Sequence, residues 1–244
     1  MKKLLGWMST GITLLALATS AQADIIVNGG FESTTNGPGL QFDLSTQATG
    51  WTSTNGSGDA YNFIFAPGTA DTTGATGQYG ALTLWGPNDG SNNGLTPTSP
   101  AGGNFVAADG DFQNGTISQT LTGLTPSAEY DVTFWWAAAQ QSGFYGATQQ
   151  YWQVGFGSQT QNTPTYDLPS QGFSGWMQQT FTFTADNTTD VLSFLAVGNL
   201  PVPPFLLLDG VSVDPTPEPG SLGLILGGLM VGVGMIKSRK RLKR

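Results

Sequence analysis

Aromatic rings and planar amides crowd together between Trp135 and Gln161. The stretch holds Trp135, Trp136, Phe144, Tyr145, Tyr151 and Trp152, with Gln140, Gln141, Gln149, Gln150 and Gln153 among them. A sugar offers a flat C–H face that stacks on a ring and a rim of hydroxyls that pairs with amides, so this mixture points to carbohydrate. Tyr145 stands in Gly143-Phe144-Tyr145-Gly146, a loop by its glycines, where a ring is expected to be exposed. The candidate sugar contacts are Trp135, Tyr145, Tyr151, Trp152, Gln149 and Gln153. Trp152 shares a strand face with Val154 and Phe156, so a core position competes with a sugar contact for it. Trp136 aligns with Tyr130, Val132 and Phe134 and is read as core, and Trp51, Trp85 and Trp176 as packing.

The acid–base inventory is narrow. There is no His and no Cys, and all eight Lys and Arg lie at the termini, at positions 2, 3, 237, 239, 240, 241, 243 and 244. All sixteen Asp and Glu lie between Asp24 and Glu218. A body without cations cannot neutralise phosphates, which excludes nucleic acid and leaves nucleotide substrates without a clamp. Histidine-based triads and Cys/His zinc sites are excluded as well. A glycosidase built from carboxylates alone would need two of them about 5–9.5 Å apart, and no motif predicts such a pair. No catalytic residue is therefore assigned, and the expectation is a non-enzymatic protein that binds carbohydrate. A structural matrix protein without a small ligand and a carboxylate-only glycan hydrolase are the alternatives. Asp109-Gly110-Asp111 is too short for an EF-hand loop and reads as a solvated acidic turn.

The elements that would position these groups are strands. Apolar and polar residues alternate through most of residues 24–214, with Gly, Asn and Pro clusters between the runs. Ile25-Ile26-Val27 reads as a first strand. Further candidates cover residues 61–65, 81–85, 104–108, 116–121, 130–136, 151–156, 176–183, 190–197 and 205–213. No segment there has a helical period, and residues 86–103 read as a loop too polar for a core. The prediction is an all-β jelly-roll sandwich over residues 24–214.

Short markers along this domain are Asn28-Gly29-Gly30-Phe31-Glu32, the run from Ile117 to Leu124, Gly175-Trp176, and Leu208-Asp209-Gly210-Val211 at the close. Their order resembles the galactose-binding-like jelly rolls of many carbohydrate-binding modules and secreted cell-wall proteins. The resemblance implies a structural calcium tying the opening to the last strand, with Glu32 and Asp209 at the ligand positions. The family usually ends Leu-Asp-Asn or Leu-Asp-Asp before Val. Here Gly210 takes the third place.

Both termini carry export features. Met1-Lys2-Lys3, an uncharged apolar run from Leu4 to Ala18, and Ala21-Gln22-Ala23 form a secretory signal-peptide pattern over residues 1–23, with cleavage after Ala23. At the other end, Pro217-Glu218-Pro219 precedes an apolar transmembrane candidate, residues 221–236, and a Lys/Arg tail within residues 215–244. That tail is expected to stay cytoplasmic. These residues resemble the PEP-CTERM sorting signal of Gram-negative bacteria, also described as an ice-binding-protein C-terminal motif. The resemblance implies processing by an exosortase-type membrane protease near Pro217, Glu218 and Pro219, an inner-membrane intermediate, and delivery to a surface or matrix rich in exopolysaccharide. A tail anchor that is never cut is the alternative.

Overall fold

Strand-period alternation sets the architecture. In the computed structural model, which describes residues 25–216 apart from 57, 200 and 201, the chain forms a two-sheet β-sandwich. The expected signal peptide with Ala21 and Ala23, and the expected sorting segment with Pro217, Glu218, Pro219 and the transmembrane candidate 221–236, lie outside the described residues. Among the described residues no helix is long and apolar enough to cross a membrane.

The strands are β1 (Leu40–Gln41), β2 (Thr52–Thr54), β3 (Asn62–Phe65), β4 (Ala75–Gly77), β5 (Gly80–Leu82), β6 (Phe105–Asp109) and β7 (Thr116–Thr122). They continue with β8 (Glu129–Gln140), β9 (Thr148–Phe156), β10 (Gln159–Asn162), β11 (Tyr166–Leu168), β12 (Met177–Thr184), β13 (Thr189–Gly198) and β14 (Pro204–Pro215). The eight-stranded sheet runs β12-β8-β14-β6-β3-β1-β4-β5. The six-stranded sheet runs β10-β9-β13-β7-β2, with β11 also on β9. From β6 onward the chain changes sheet at each step except β9 to β10 to β11, and β6, β8, β12 and β14 face β7, β9, β10/β11 and β13. That antiparallel order is a jelly roll.

The main core lies between the sheets. Tyr130, Val132, Phe134 and Trp136 of β8 meet Trp152, Val154 and Phe156 of β9 and Phe194 of β13 there. Ile117 and Leu121 of β7 point inward, as their alternation predicts. The outer face of the eight-stranded sheet carries a second apolar layer. Phe63 and Phe65, Phe105 and Ala107, and Phe205 and Leu207 lie beneath residues 66–103, which contribute Ala70, Leu84 and Leu95. Strands β3, β6 and the first half of β14 are thus buried on both faces, which explains their unbroken apolar runs. The loop at 86–103 is accordingly not a solvent loop throughout. Leu95, Ser91 and Ser99 within it are buried.

The expected first strand at Ile25–Val27 does not form. A side chain takes the place of a strand partner: the Val27 N–H donates to Gln119 Oε1 (2.8 Å), and Gln119 Nε2 donates to the Val27 carbonyl (2.8 Å). The next residues dock on β14. The Val211 N–H donates to the Gly29 carbonyl at 3.0 Å, and a Cβ on Gly29 would strike the Val211 carbonyl.

Candidate functional site

The six predicted sugar contacts do not come together. Gln149, Tyr151 and Gln153 alternate along β9 and face outward from the six-stranded sheet. Trp152 between them faces inward and is 0% exposed. Its ring meets Phe194 edge-on at 6.0 Å, and its Nε1 donates to the Leu207 carbonyl at 3.1 Å. Burial and a satisfied indole N–H make Trp152 a core residue, so it leaves the set of sugar contacts. Trp135 belongs to the opposite sheet, on the outer side of β8, where it pairs in register with Gln178 and Asp209.

Register gathers other residues at one end of the sandwich. Gln140 pairs with Pro204, and Phe205 pairs with Asp109, so the β8–β9 and β6–β7 loops leave the same end. β3 begins there, with Asn62 opposite Ala108, and the β4–β5 hairpin turns there between Gly77 and Gly80. The exposed aromatic side chains among the described residues are Tyr145 (69%), Tyr79 (64%), Phe144 (44%) and Phe112 (43%). All four ride on these three loops.

Tyr145 rests against Trp85, with ring centroids 5.3 Å apart at 56°. Trp85, nearly buried, donates its Nε1 proton to the Phe144 carbonyl at 2.8 Å. The Gly146 N–H donates to Ser170 Oγ (2.9 Å), and Gln140 Nε2 donates to the Gly146 carbonyl (2.9 Å). The Phe144–Tyr145 turn is therefore tied down on both sides without a ligand. Next to it an open cleft of about 460 Å³ is lined by Ala147, Thr148, Gln149, Asp167, Leu168 and Pro169. Gln149 Nε2 donates to Asp167 Oδ1 at 2.6 Å, which puts an amide and a carboxylate at the cleft wall. An exposed ring beside such a pair can stack on one face of a sugar and hydrogen-bond its rim.

Glu32 and Asp209, the positions the family resemblance implies for calcium, border a common point. Asp209 Oδ1 (3.7 Å) and Glu32 Oε1 (3.9 Å) both border the point where a Cβ on Gly30 would stand. Asp209 is 0% exposed. Its Oδ1 accepts from the Gly210 N–H (2.6 Å) and its Oδ2 from the Ser99 hydroxyl. Burial pushes its carboxyl up to about 7, the charge of Glu32 adds to the rise, and the two hydrogen bonds oppose it. Glu32 Oε1 accepts from the Asn104 N–H at 2.8 Å. The donors are all oxygens, two of the groups are carboxylates, and no cationic side chain offsets them, so the residues fit a calcium ion. Among the described residues no three His, Cys, Asp or Glu side chains gather, and hydroxyl or backbone oxygens would have to complete the shell.

Asp109 is a buried carboxylate rather than part of a solvated turn. It is 1% exposed. Its Oδ1 accepts from the N–H groups of Asp111 and Phe112, both at 2.9 Å, and its Oδ2 is buried without a partner. Burial pushes this carboxyl up to about 6 against the pull of those two bonds. Tyr79 and Phe112 are the exposed rings that the sequence reading passed over. Gly77-Gln78-Tyr79-Gly80 repeats the pattern of Gly143-Phe144-Tyr145-Gly146 and carries the same signal of an exposed ring on a glycine-bounded turn.

No family model matches the chain. It is 25% identical over 217 residues to halomucin of Haloquadratum walsbyi, covering 86% of this chain and 2% of halomucin, so it spans a small fraction of that relative's length. Among solved structures it is similar to TmCBM61 in complex with β-1,4-galactotriose, at TM-score 0.42 and 13% identity over 80% of this chain and 99% of that one. It is also similar to a CBM4 structure, at TM-score 0.37 and 15% identity over 78% of this chain and 99% of that one.

Proposed function

We propose that this chain is an exported surface or matrix protein whose jelly-roll domain binds polysaccharide without cleaving it, using the sandwich end that carries Tyr145. One observation carries the reading: every exposed aromatic side chain among the described residues sits on three loops of a single end. Exposed rings are unfavourable in water, and the Tyr145 turn is hydrogen-bonded into place beside the Gln149–Asp167 pair. Tyr145 and Gln149 are the predicted contacts that belong to this end. Tyr151 and Gln153 continue outward along β9, while Trp135 lies on the other sheet.

Two of the carboxylates are withdrawn from substrate. Asp209 is 0% exposed. Asp109 is 1% exposed, with its Oδ1 engaged by the N–H groups of Asp111 and Phe112. Glu32 and Asp209 would hold calcium, which would neutralise their repulsion and tie residues 30–32 and 99–104 to β14. The PEP-CTERM resemblance supplies the address: an exosortase-type protease and the membrane as partners during export, and exopolysaccharide at the destination.

Affinity electrophoresis and calorimetry of the full chain in detergent, against a panel of polysaccharides, test the reading. Tyr145→Ala is expected to weaken binding about tenfold while the melting temperature stays within a degree or two. Failure to bind any polysaccharide would remove the proposal, and unchanged binding by Tyr145→Ala would remove Tyr145 from it.

A further inference from the structure

We infer that Tyr79 and Phe112 form a second sugar platform at the same end, and that this end takes uncharged glycan chains. The inference rests on the carbohydrate reading above and adds a site and a ligand class to it.

The two rings lie 5.7 Å apart at 59°. Both pack on Tyr61, at 5.9 and 5.3 Å, and Tyr61 sits in turn on Phe63 (4.7 Å) and Phe205 (6.3 Å) of the outer apolar layer. The exposed pair is thus supported from below by buried rings and is in place before any ligand arrives. Asp109 holds Phe112 by accepting its N–H, so Asp109 is a positioning residue for the platform. Amides rim the rings: Gln113 Nε2 donates to the Tyr79 hydroxyl at 3.2 Å, and Gln78 donates to Gln113. Rings edged by amides suit a partner that is flat and apolar on its face and hydroxylated at its rim. A purely apolar protein surface would desolvate those amides without meeting their remaining donors and acceptors.

Charge selects the class of glycan. Asp109 and Asp111 flank Phe112, Asp167 flanks the Tyr145 cleft, and residues 25–216 contain no Lys, Arg or His. A uronate or sulfate at either platform would meet carboxylates and find no cation to pair with. A neutral chain carries no such penalty. Two platforms on one end also let one polysaccharide chain engage both, so binding to a long chain exceeds binding to a short one.

The test uses the full chain in detergent with xylan and β-1,4-galactan as neutral probes and polygalacturonate and alginate as acidic ones. Tyr79→Ala, at an exposed hairpin tip, and Tyr79→Ala combined with Phe112→Ala are each compared with Tyr145→Ala. Both groups of variants are expected to lose about tenfold in affinity for a neutral polymer. Loss with Tyr145→Ala alone overturns the second platform and leaves the first standing. Loss with the Tyr79 variants alone sustains this inference and removes Tyr145 from the reading. Tighter binding to the acidic polymers overturns the ligand class. A Tyr79 variant that changes only self-association assigns the rings to a second copy of the chain and overturns the platform.

Discussion

At the scale of single residues, Asp209 sets the strongest conflict between burial and charge. Its raised carboxyl means that the folded chain binds a proton there more tightly than the unfolded chain does. The resulting stabilisation is complete below the unfolded value near 3.8 and is lost as pH rises through about 7. Asp109, pushed up to about 6, acts with the same sign over a slightly lower range. Without divalent cations the melting temperature should therefore rise by several degrees as pH falls from 8 to 5. If Glu32 and Asp209 hold calcium as proposed, millimolar calcium should raise it at pH 8 and flatten that slope, because the ion would take the place of the Asp209 proton. Asp209→Asn should erase the calcium effect and the upper part of the pH dependence, leaving the part that belongs to Asp109. Thermal unfolding by circular dichroism reads all of these. Equal shifts with calcium and with sodium chloride of the same ionic strength would reduce the effect to general screening and dismiss the metal.

At the scale of elements, two substitutions probe how the last strand and the opening segment are joined. β14 bulges between Asp209 and Ser212, and Gly210 at the bulge has φ +58°. A Cβ there would stand 2.7 Å from Ala101 Cβ and 3.2 Å from Trp135 Cδ1, so Gly210→Ala should cost about 1–3 kcal/mol in urea unfolding. An unchanged midpoint would show that the bulge relaxes freely. Gln119→Leu removes both bonds to Val27, in a residue that is nearly buried, and should cost about 1–3 kcal/mol. It should also release the Val27 amide to hydrogen exchange, and continued protection of that amide would contradict the pairing. Gln119 also marks a boundary of what pattern reading reaches. Strands β7, β9, β12, β13 and the first half of β8 are legible because each buries one face and so alternates. Strands β3 and β6 read as strands too, but a short apolar run does not by itself reveal a covering layer, which residues 66–103 provide. β1, β2, β4, β10 and β11 have two to four residues each, too few to show a period. Ile25-Ile26-Val27 looked like a strand because it is apolar, yet its partner is a side-chain amide with no periodic trace. The site divides the same way: Tyr145 is legible from its flanking glycines, whereas Phe112 becomes a candidate only when register brings its loop beside the β4–β5 hairpin.

At the scale of the whole chain, charge is segregated by position: every cation lies in the first three or last eight residues, and every carboxylate lies between them. The body is acidic and carries its exposed rings at one end, and among the described residues no helix is long and apolar enough to cross a membrane. The anchor proposed on the PEP-CTERM resemblance is residues 221–236, with the basic tail expected on the cytoplasmic side. The apolar run is a little short of the ~20 residues that span a bilayer comfortably, and the flanking Lys and Arg can snorkel to make up the difference. Deleting residues 222–244 should therefore move the protein from the membrane fraction to the periplasm or the medium, with the folded body unchanged in its melting behaviour. On the proposed exosortase route, replacing Pro217, Glu218 and Pro219 by Ala should have the opposite outcome, leaving the chain in the membrane fraction at its unprocessed C-terminal mass, because the protease would lose its recognition sequence while the anchor would remain. Fractionation with mass spectrometry separates the two variants. Membrane retention of the 222–244 deletion would mean that another segment anchors the chain, and normal processing of the Pro-Glu-Pro variant would sever the link to an exosortase.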